Sequence, residues 1–191
     1  MSAIDLAGFA AKFAGDDDPW RTFTKRDEAV KRSAIFHALG AGPLGRVLEL
    51  ASGNGSNSAV IAPRALRLDA TEGTAEGTGL TERAVEKWPH ARALQLQLPA
   101  TMPRSTYDAI VVAELLYYLT RRDMALVARD VARAVRPGAI LVLAHHRIDF
   151  YDFAQHARGI HDRFLRQAKR FTQRRTIRQT SSWIVEAVVA T

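Results

Sequence analysis

Short apolar runs alternate with stretches of helical periodicity from residue 45 to about residue 145. The runs are apolar on both faces, which is typical of strands in a parallel sheet that helices cover on both sides. Between them, apolar residues recur at the spacing of one helix face, as in residues 123–135. The pattern predicts strands at 46–50, 66–71, 93–98, 109–113 and 139–144, and helices near 57–64, 80–88 and 123–135.

The last third of the chain has a different pattern. A long helix is predicted at about 149–169, and two strand-like runs follow at 171–179 and 182–190 with no helix between them. Because the link between these runs is short, we expect them to pair antiparallel. Five parallel strands followed by such a pair predict an α/β, Rossmann-like seven-stranded sandwich rather than the six-stranded sheet of dinucleotide dehydrogenases.

Two further helices, at 3–14 and about 27–39, precede the first predicted strand. They lie outside the strand–helix alternation. The sequence therefore predicts an N-terminal helical cap or lid over residues 1–44 and a core over residues 45–191, which together form one domain.

The composition excludes several kinds of chemistry. The 191 residues include no cysteine, so disulfides, thiolate metal sites and cysteine nucleophiles are excluded. The six histidines lack carboxylate companions at ligand spacing, so no metal site is predicted. The N-terminus does not have the pattern of a signal peptide and the apolar runs are too short to span a bilayer, so we expect a soluble, cytoplasmic protein without a membrane partner.

The net charge of +7 is concentrated in one segment. Residues 158–178 hold eight lysines and arginines against the single acid Asp162. Such a strip attracts anionic partners if it is free, but it is equally typical of a solvated surface.

A glycine pair follows the first predicted strand. Gly53 and Gly55 lie in a tight turn between that strand and a helix start, and glycine there admits positive φ and lets the backbone approach a ligand. Glu49, at the strand end, would repel a pyrophosphate but favours a cation. The ammonium and sulfonium groups of S-adenosylmethionine (SAM) fit this requirement, so we expect all three residues to contact SAM.

Polar residues at the ends of the next two predicted strands suit a nucleoside. Glu72 lies 19 positions after Gly53, where a carboxylate would accept hydrogen bonds from both ribose hydroxyls. Asp69 competes for this role but falls inside the strand. At the third strand end, the Gln97 side chain and the Leu98 backbone N–H are expected to contact the adenine ring.

The fourth and fifth strand ends supply candidate catalytic residues. Alternation along the strand places His145 and His146 on opposite faces, and His145 is taken as the general base. Glu114 is expected to hold the cofactor or an ammonium acceptor. Tyr117 and Tyr118 are candidates for the wall of the acceptor pocket. A weaker candidate, His161, lies in the next predicted helix.

The motif Glu49-x-Ala51-x-Gly53-x-Gly55 resembles the glycine-rich loop of class I SAM-dependent methyltransferases, with Ala51 in place of the usual first glycine. A closer resemblance is to NodS-like nodulation methyltransferases. It rests on Asp18-Pro19-Trp20-Arg21 with Thr24 and Glu28, on residues 107–119 with the Tyr117-Tyr118 pair, and on His145-His146-Arg147 with residues 159–161.

This resemblance implies the seven-stranded class I methyltransferase fold and an enzyme that N-methylates the amino group of a chitooligosaccharide precursor. It further implies SAM contacts, which are expected at Trp20, Ala51, Gly53, Asn54, Glu72, Gln97, Leu98 and Glu114. The acceptor is not determined by the resemblance, because relatives on one fold change substrates through their loops.

Three other functions remain open. An RNA or ribosomal methyltransferase would use the basic segment 158–178, although the proline-aromatic tetrapeptide typical of many nucleic-acid amino-methylases is missing. An NAD-dependent oxidoreductase normally has a third glycine, where this chain has Ser58. A module that binds SAM without catalysis is the third. The leading hypothesis is a SAM-dependent methyltransferase for a small-molecule amine such as an aminosugar, with nucleic acid disfavoured as a partner.

Overall fold

A computed structural model describes residues 3–191 as a seven-stranded sheet with helices on both faces. The strands are β1 (Leu44–Leu50), β2 (Ala65–Glu72), β3 (Ala91–Gln95), β4 (Tyr107–Ala113), β5 (Val135–His146), β6 (Phe171–Gln179) and β7 (Trp183–Ala190). The α-helices are α1 (Leu6–Gly15), α2 (Arg26–Ala38), α3 (Ser58–Ile61), α4 (Ala75–Val85), α5 (Arg121–Ala134) and α6 (Ile160–Ala168). Two 3₁₀ turns cover Ala62–Arg64 and Leu116–Tyr118.

The sheet order is β3-β2-β1-β4-β5-β7-β6. The first five strands are parallel to one another, and β7 runs antiparallel between β5 and β6. The predicted seven-stranded α/β fold is thereby confirmed. Strand order reverses at β1, which pairs with β2 on one side and with β4 on the other, and ligands of such sheets bind at this switch point.

Each face of the sheet has its own apolar core. On one face, the fully buried side chains of β4 and β5 pack against α5 and α6, with Val127 and Phe164 both 0% exposed. On the other face, β1, β2 and β4 pack against α2 and α3, with Ile61 0% exposed. The continuous apolar runs of the sequence are the strands buried between these two layers.

The second helix belongs to one of these cores. Ile35 is 1% exposed and packs into the cluster that includes Val47 and Trp183, and the Trp183 indole N–H donates to Asp27 at 2.9 Å. This helix therefore shares an apolar core with the sheet, and the division of the chain into a cap and a core at residue 44 stays a prediction. The buried face of this helix is narrow, and the charged residues on either side of it make its apolar pattern hard to recognise in the sequence.

Element boundaries differ where side chains cap or tether the backbone. Helix α4 begins five residues earlier than predicted, because the Thr74 side chain caps it by accepting from the N–H of Gly77. The predicted helix at 149–169 is wrong before Ile160. In the preceding segment, the N–H groups of Ala154 and Gln155 donate to the Tyr117 carbonyl instead of to helical partners. Tertiary contacts thus replace helical hydrogen bonds there.

No helix within residues 3–191 is long and apolar enough to cross a membrane.

A buried carboxylate joins β2, β3 and β4 outside the region of the strand ends. Asp69 is 0% exposed and accepts from Arg92 at 2.6 Å, from Arg104 at 2.9 Å and from the Tyr107 hydroxyl at 2.8 Å. Burial opposes the ionised form of Asp69, but the hydrogen bonds from Arg92 and Tyr107 and the charges of both arginines leave its pKa below the ordinary value. Asp69 is therefore a structural residue.

Asp69→Ala is expected to lower the free energy of unfolding by about 2–3 kcal/mol, because the Tyr107 hydroxyl loses its acceptor while both arginines still reach solvent. Asp130→Ala, which removes an exposed helix pair with Arg133, is expected to change it by less than about 0.5 kcal/mol. Urea unfolding at pH 7 measures both values. Equal effects of the two substitutions would show that the buried cluster adds no stability.

Candidate functional site

A cavity of about 490 Å³ lies at the carboxyl ends of the parallel strands. Its wall comprises the residues that follow β1 and β3, the last residue of β2, the turn after β4, and the last residue of β5, while α1 and α2 close it from the side. Most of the residues expected at the site line it, namely Trp20, Ala51, Gly53, Asn54, Glu72, Gln97, Leu98, Glu114, Tyr117 and Tyr118. Glu49, Gly55, His145 and His161 lie outside the lining.

The glycine loop has three left-handed residues, and they serve different purposes. Gly53 (φ 60°) faces the cavity, and a Cβ there would meet only the Phe13 ring at 3.7 Å. At Gly55 (φ 79°), a Cβ would lie 2.7 Å from the Ala84 Cβ. Gly55 is thus needed for the close packing of α4 and does not line the cavity, and its contact with the cofactor stays a prediction. Ala51 adopts φ 53° without being glycine.

Glu49 also lies away from the cavity. Its side chain is 1% exposed, Oε2 accepts from the Ser58 hydroxyl, and Oε1 has no hydrogen-bond partner among residues 3–191. Burial raises the pKa of Glu49 to about 7, and hydrogen bonds from Ser58 and Asn57 only partly oppose the shift. The prediction that this carboxylate presents a negative charge to the cofactor is therefore wrong, because the group faces the interior and is partly protonated at neutral pH.

Glu72 connects the glycine loop to the start of α4. It accepts from the backbone N–H of Gly53 at 3.1 Å and from that of Thr74 at 3.0 Å. Burial raises its pKa, and the hydrogen bonds from Thr74 and Gly53 limit the shift. Of the two carboxylates that competed for this role, Glu72 lines the cavity and Asp69 does not.

Asn54 holds the segment that carries Trp20 against the glycine loop. Its amide N donates to the Asp18 carboxylate at 2.9 Å, and its carbonyl accepts from the Thr22 hydroxyl at 3.0 Å. Trp20 then lies over α1, with ring centroids 5.3 Å from Phe13 and 6.0 Å from Phe9. The loop therefore brings an aromatic side chain into the wall of the cavity.

Glu114 is the centre of a polar cluster at the other end of the cavity. It adopts φ 52° directly after β4, and its carboxylate accepts from Lys31 at 2.6 Å and from the Tyr117 hydroxyl. Nε2 of His146 lies 3.7 Å from Glu114 Oε2. Lys31, which is 3% exposed, also contacts Glu28 at 3.0 Å. Burial alone would lower the pKa of Lys31, but the two carboxylates outweigh it and the pKa is raised.

Lys31 is a residue of the cavity wall that the sequence motifs did not indicate, although its position on α2 could have shown it. On α2 it shares a face with Ala34, Ile35 and Ala38, all of which are buried. A lysine on the buried face of a helix needs a carboxylate partner, which indicates a functional or structural ion pair.

Aromatic side chains cover the wall beside Glu114. Tyr117 stacks on Phe153 with centroids 3.7 Å apart, and Tyr118 meets Phe9 edge-on at 4.9 Å. Phe150 and Tyr151 also line the cavity and are 44% and 67% exposed. This end of the cavity is thus apolar around a few charged groups.

The structure contradicts the prediction that His145 is the general base. It is 0% exposed, and its Nε2 accepts from the backbone N–H groups of Leu115 at 3.3 Å and Leu116 at 3.1 Å. Burial, the neighbouring His161 and Lys31 hold its pKa well below 6.5. The lone pair a base would use is therefore occupied, whereas His146 on the opposite face of β5 lines the cavity.

The cavity wall carries the opposite charge from the chain as a whole. It contains the two lysines Lys12 and Lys31 and, among residues 3–191, no arginine. Among those residues no group of three or more His, Cys, Asp or Glu side chains is arranged to hold a metal ion. The carboxylates of the wall are Asp5, Glu28, Glu72, Glu114, Asp123 and Asp152.

Comparison with known proteins places this architecture in a family. The model of the family described as nodulation protein S (NodS) matches residues 10–181. The chain belongs to the NodS family. Among its relatives, nodulation protein S of Rhizobium tropici is 29% identical over 133 residues, which cover 69% of this chain and 56% of that protein. Nodulation protein S of Bradyrhizobium diazoefficiens is 26% identical over 147 residues, which cover 75% of this chain and 69% of that protein.

Solved structures share the fold at low sequence identity. The N-methyltransferase NodS from Bradyrhizobium japonicum WM9, in complex with S-adenosyl-L-homocysteine (SAH), superposes with a TM-score of 0.80 at 19% identity over 97% of both chains. A putative methyltransferase from Pseudomonas syringae gives a TM-score of 0.73 at 23% identity, over 86% of this chain and 99% of that one. The expected family and fold are both confirmed.

Glu49→Gln is expected to change how stability depends on pH. Because the pKa of Glu49 is about 7 in the fold and 4.5 when exposed, the wild type favours the protonated form, so its unfolding free energy falls as pH rises from 4.5 to 7 and is constant above. The difference corresponds to about 3 kcal/mol. The variant lacks this decline and gains stability relative to wild type between pH 5 and pH 8, as measured by urea unfolding.

Glu82→Gln, on the exposed surface of α4, is the matched control and should leave the pH dependence unchanged. A wild type and Glu49→Gln variant whose stabilities run parallel from pH 5 to pH 8 would contradict the assignment.

Proposed function

We propose that this chain is a SAM-dependent N-methyltransferase whose acceptor is an amine on a small molecule, such as the aminosugar of a chitooligosaccharide. The observation that carries the proposal is the charge of the cavity. Its wall holds six carboxylates and two lysines in a chain of net charge +7. A carboxylate-rich, partly buried cavity favours cationic ligands and disfavours phosphates, which suits both SAM and an amine acceptor.

The residues present fit the cofactor. The volume is in the range of small-molecule sites. Glu72 would hold the ribose hydroxyls, Gln97 and Leu98 the adenine, and the Gly53–Asn54 loop with Trp20 the remainder. Gly53 leaves its side of the cavity open to a close backbone approach. When bound, SAM supplies an electrophilic methyl group. The SAH complex of the B. japonicum NodS supports this assignment.

The chain's own residues would prepare the acceptor. An amine that arrives as ammonium must lose a proton before its lone pair can react, and His146 lies in the cavity wall next to the Glu114 carboxylate. Glu114 would stabilise the imidazolium formed when His146 takes that proton. Tyr117, by donating to Glu114, fixes the orientation of the carboxylate. The aromatic wall would position the acceptor and exclude water.

The alternatives are less compatible with these contacts. Within the basic segment, Arg174 is bound to Glu186 and Asp162, and Arg170 to the carbonyls of Ala132 and Thr191. Two of the eight basic side chains of the segment are therefore already paired within the protein, which reduces the charge available to RNA phosphates. The carboxylates of the cavity likewise disfavour the pyrophosphate of NAD.

Calorimetric titration tests the cofactor assignment. Wild type is expected to bind SAH and not NAD, and Glu72→Gln to weaken SAH binding by about 10- to 100-fold, the loss of a charge-assisted hydrogen bond. Glu76→Gln on the exposed first turn of α4 serves as the control and should bind as wild type does. NAD binding without SAH binding would refute the proposal.

Methyl transfer from labelled SAM to de-N-acetylated chitooligosaccharides, other small amines and RNA tests the acceptor. His146→Asn is expected to lower kcat by about 10²- to 10⁴-fold with unchanged SAH affinity, because the proton acceptor is removed. His37→Asn, at an exposed position of α2, is the control. Transfer to RNA alone, or SAH binding with no transfer to any amine, would replace the proposal by one of its alternatives.

A further inference from the structure

Four side chains form a continuous hydrogen-bonded path from the exposed sheet edge to the turn after β4; we call Arg174, Glu186, His161 and His145 the histidine chain. Arg174 on β6 donates to both oxygens of Glu186 on β7, at 2.9 and 2.6 Å. Glu186 Oε2 lies 2.7 Å from Nδ1 of His161 on α6, and His161 Nε2 lies 2.9 Å from Nδ1 of His145 on β5. His145, His161 and Glu186 are 0%, 3% and 4% exposed.

The inner end of the histidine chain fixes every proton in it. The N–H groups of Leu115 and Leu116 can only donate, so Nε2 of His145 is the acceptor and its proton is on Nδ1. That proton is donated to Nε2 of His161, whose own proton is then on Nδ1 and is donated to Glu186. Only one tautomer of each imidazole satisfies all these contacts, and the ionised Glu186 is held by Arg174.

The two amides bound by His145 belong to the turn that carries the polar cluster of the cavity. Glu114 precedes them in a left-handed conformation (φ 52°), with its own N–H donating to the Ala144 carbonyl at 2.9 Å. Tyr117 follows them, and both Glu114 and Tyr117 line the cavity. A non-glycine residue keeps this conformation only where its surroundings enforce it, and His145 supplies the acceptor on the interior side.

We propose that His161 and Glu186 are positioning residues that act through His145 to hold the Glu114–Tyr117 turn in the conformation required for the acceptor. This inference rests on the proposed function, because it supposes that the methyl acceptor binds beside this turn. It also gives Arg174, in the basic segment, a role other than binding an anion. Removing one member of the histidine chain leaves the buried polar group next to it without a hydrogen-bond partner, so a single substitution is expected to disturb the whole chain.

Amide hydrogen exchange measured by NMR tests whether the histidine chain holds the turn, and it needs no methyl acceptor. His161→Phe keeps a ring of similar size but offers no acceptor to His145, and is expected to reduce the protection of the Leu115 and Leu116 amides at least tenfold while leaving Val127 in α5 unchanged. Glu186→Gln retains an oxygen that accepts from His161 and is expected to stay within threefold of wild type. Asp69→Asn, in the buried cluster outside the cavity, controls for general loss of stability.

Steady-state kinetics then tests the role. With the acceptor that supports transfer, His161→Phe is expected to lose at least tenfold in kcat with an SAH affinity within twofold of wild type, and Glu186→Gln to retain most of kcat. Where His161→Phe does not fold, Glu186→Leu takes its place. Unchanged protection at Leu115 and Leu116, uniform loss across the sheet as in Asp69→Asn, or normal kcat despite lost protection would each overturn the inference.

These outcomes separate the two proposals. A wild type that binds no SAH refutes the proposed function and, with it, the positioning role, whatever the exchange rates are. A wild type that binds SAH and methylates an amine, alongside a His161→Phe variant of normal kcat, refutes the positioning role alone.

Discussion

Parallel pairing of β1 with both β2 and β4 brings residues far apart in the chain to one edge of the sheet. Leu50 is in register with Thr71 on one side and Val112 on the other, so the glycine loop, Glu72 and the Glu114 turn all begin at the same level. The backbone enters the left-handed region directly after β1, at Ala51, and again after β4, at Glu114. These sharp exits from adjacent strands open the cavity between the loops, and every contact of the site depends on that register.

The charge of the molecule is divided between its inside and its outside. Glu72 and Glu114 are at strand ends that face the cavity, whereas most side chains of the edge strand β6 are exposed and several are arginines. Charged side chains on an edge strand also discourage pairing with another sheet. The sign of a ligand is therefore decided by the cavity wall, where the dielectric is lower and charges act at short range, and not by the net charge of a segment.

Local patterns predicted most of the fold and the half of the site that lies at strand ends. A buried strand, and a carboxylate at its end, can be recognised from residues that are adjacent in the sequence. Glu72 and Glu114, which line the cavity, could therefore be selected from the sequence. Lys31 reaches the cavity only because α2 packs on the sheet. His145 and His146 were correctly placed on opposite faces. Which face meets the cavity depends on the amides of Leu115 and Leu116, which belong to the turn after β4. Packing between distant segments decided what periodicity could not.

The two oxygens of Glu114 have different surroundings, and this difference bears on the side on which an amine would bind. Oε1 is paired with Lys31, whose ammonium is shared with Glu28, while Oε2 accepts from Tyr117 and faces His146. A second ammonium entering beside Lys31 would be repelled by it at short range. Glu28 and Glu114 together outweigh the single charge of Lys31, so the cluster still attracts an ammonium, but on the side away from Lys31. On the proposed function, the acceptor nitrogen is therefore expected beside Oε2, where it can pass its proton to His146 close to the Glu114 carboxylate. Lys31 would then determine on which side the acceptor binds without contacting the reacting atoms.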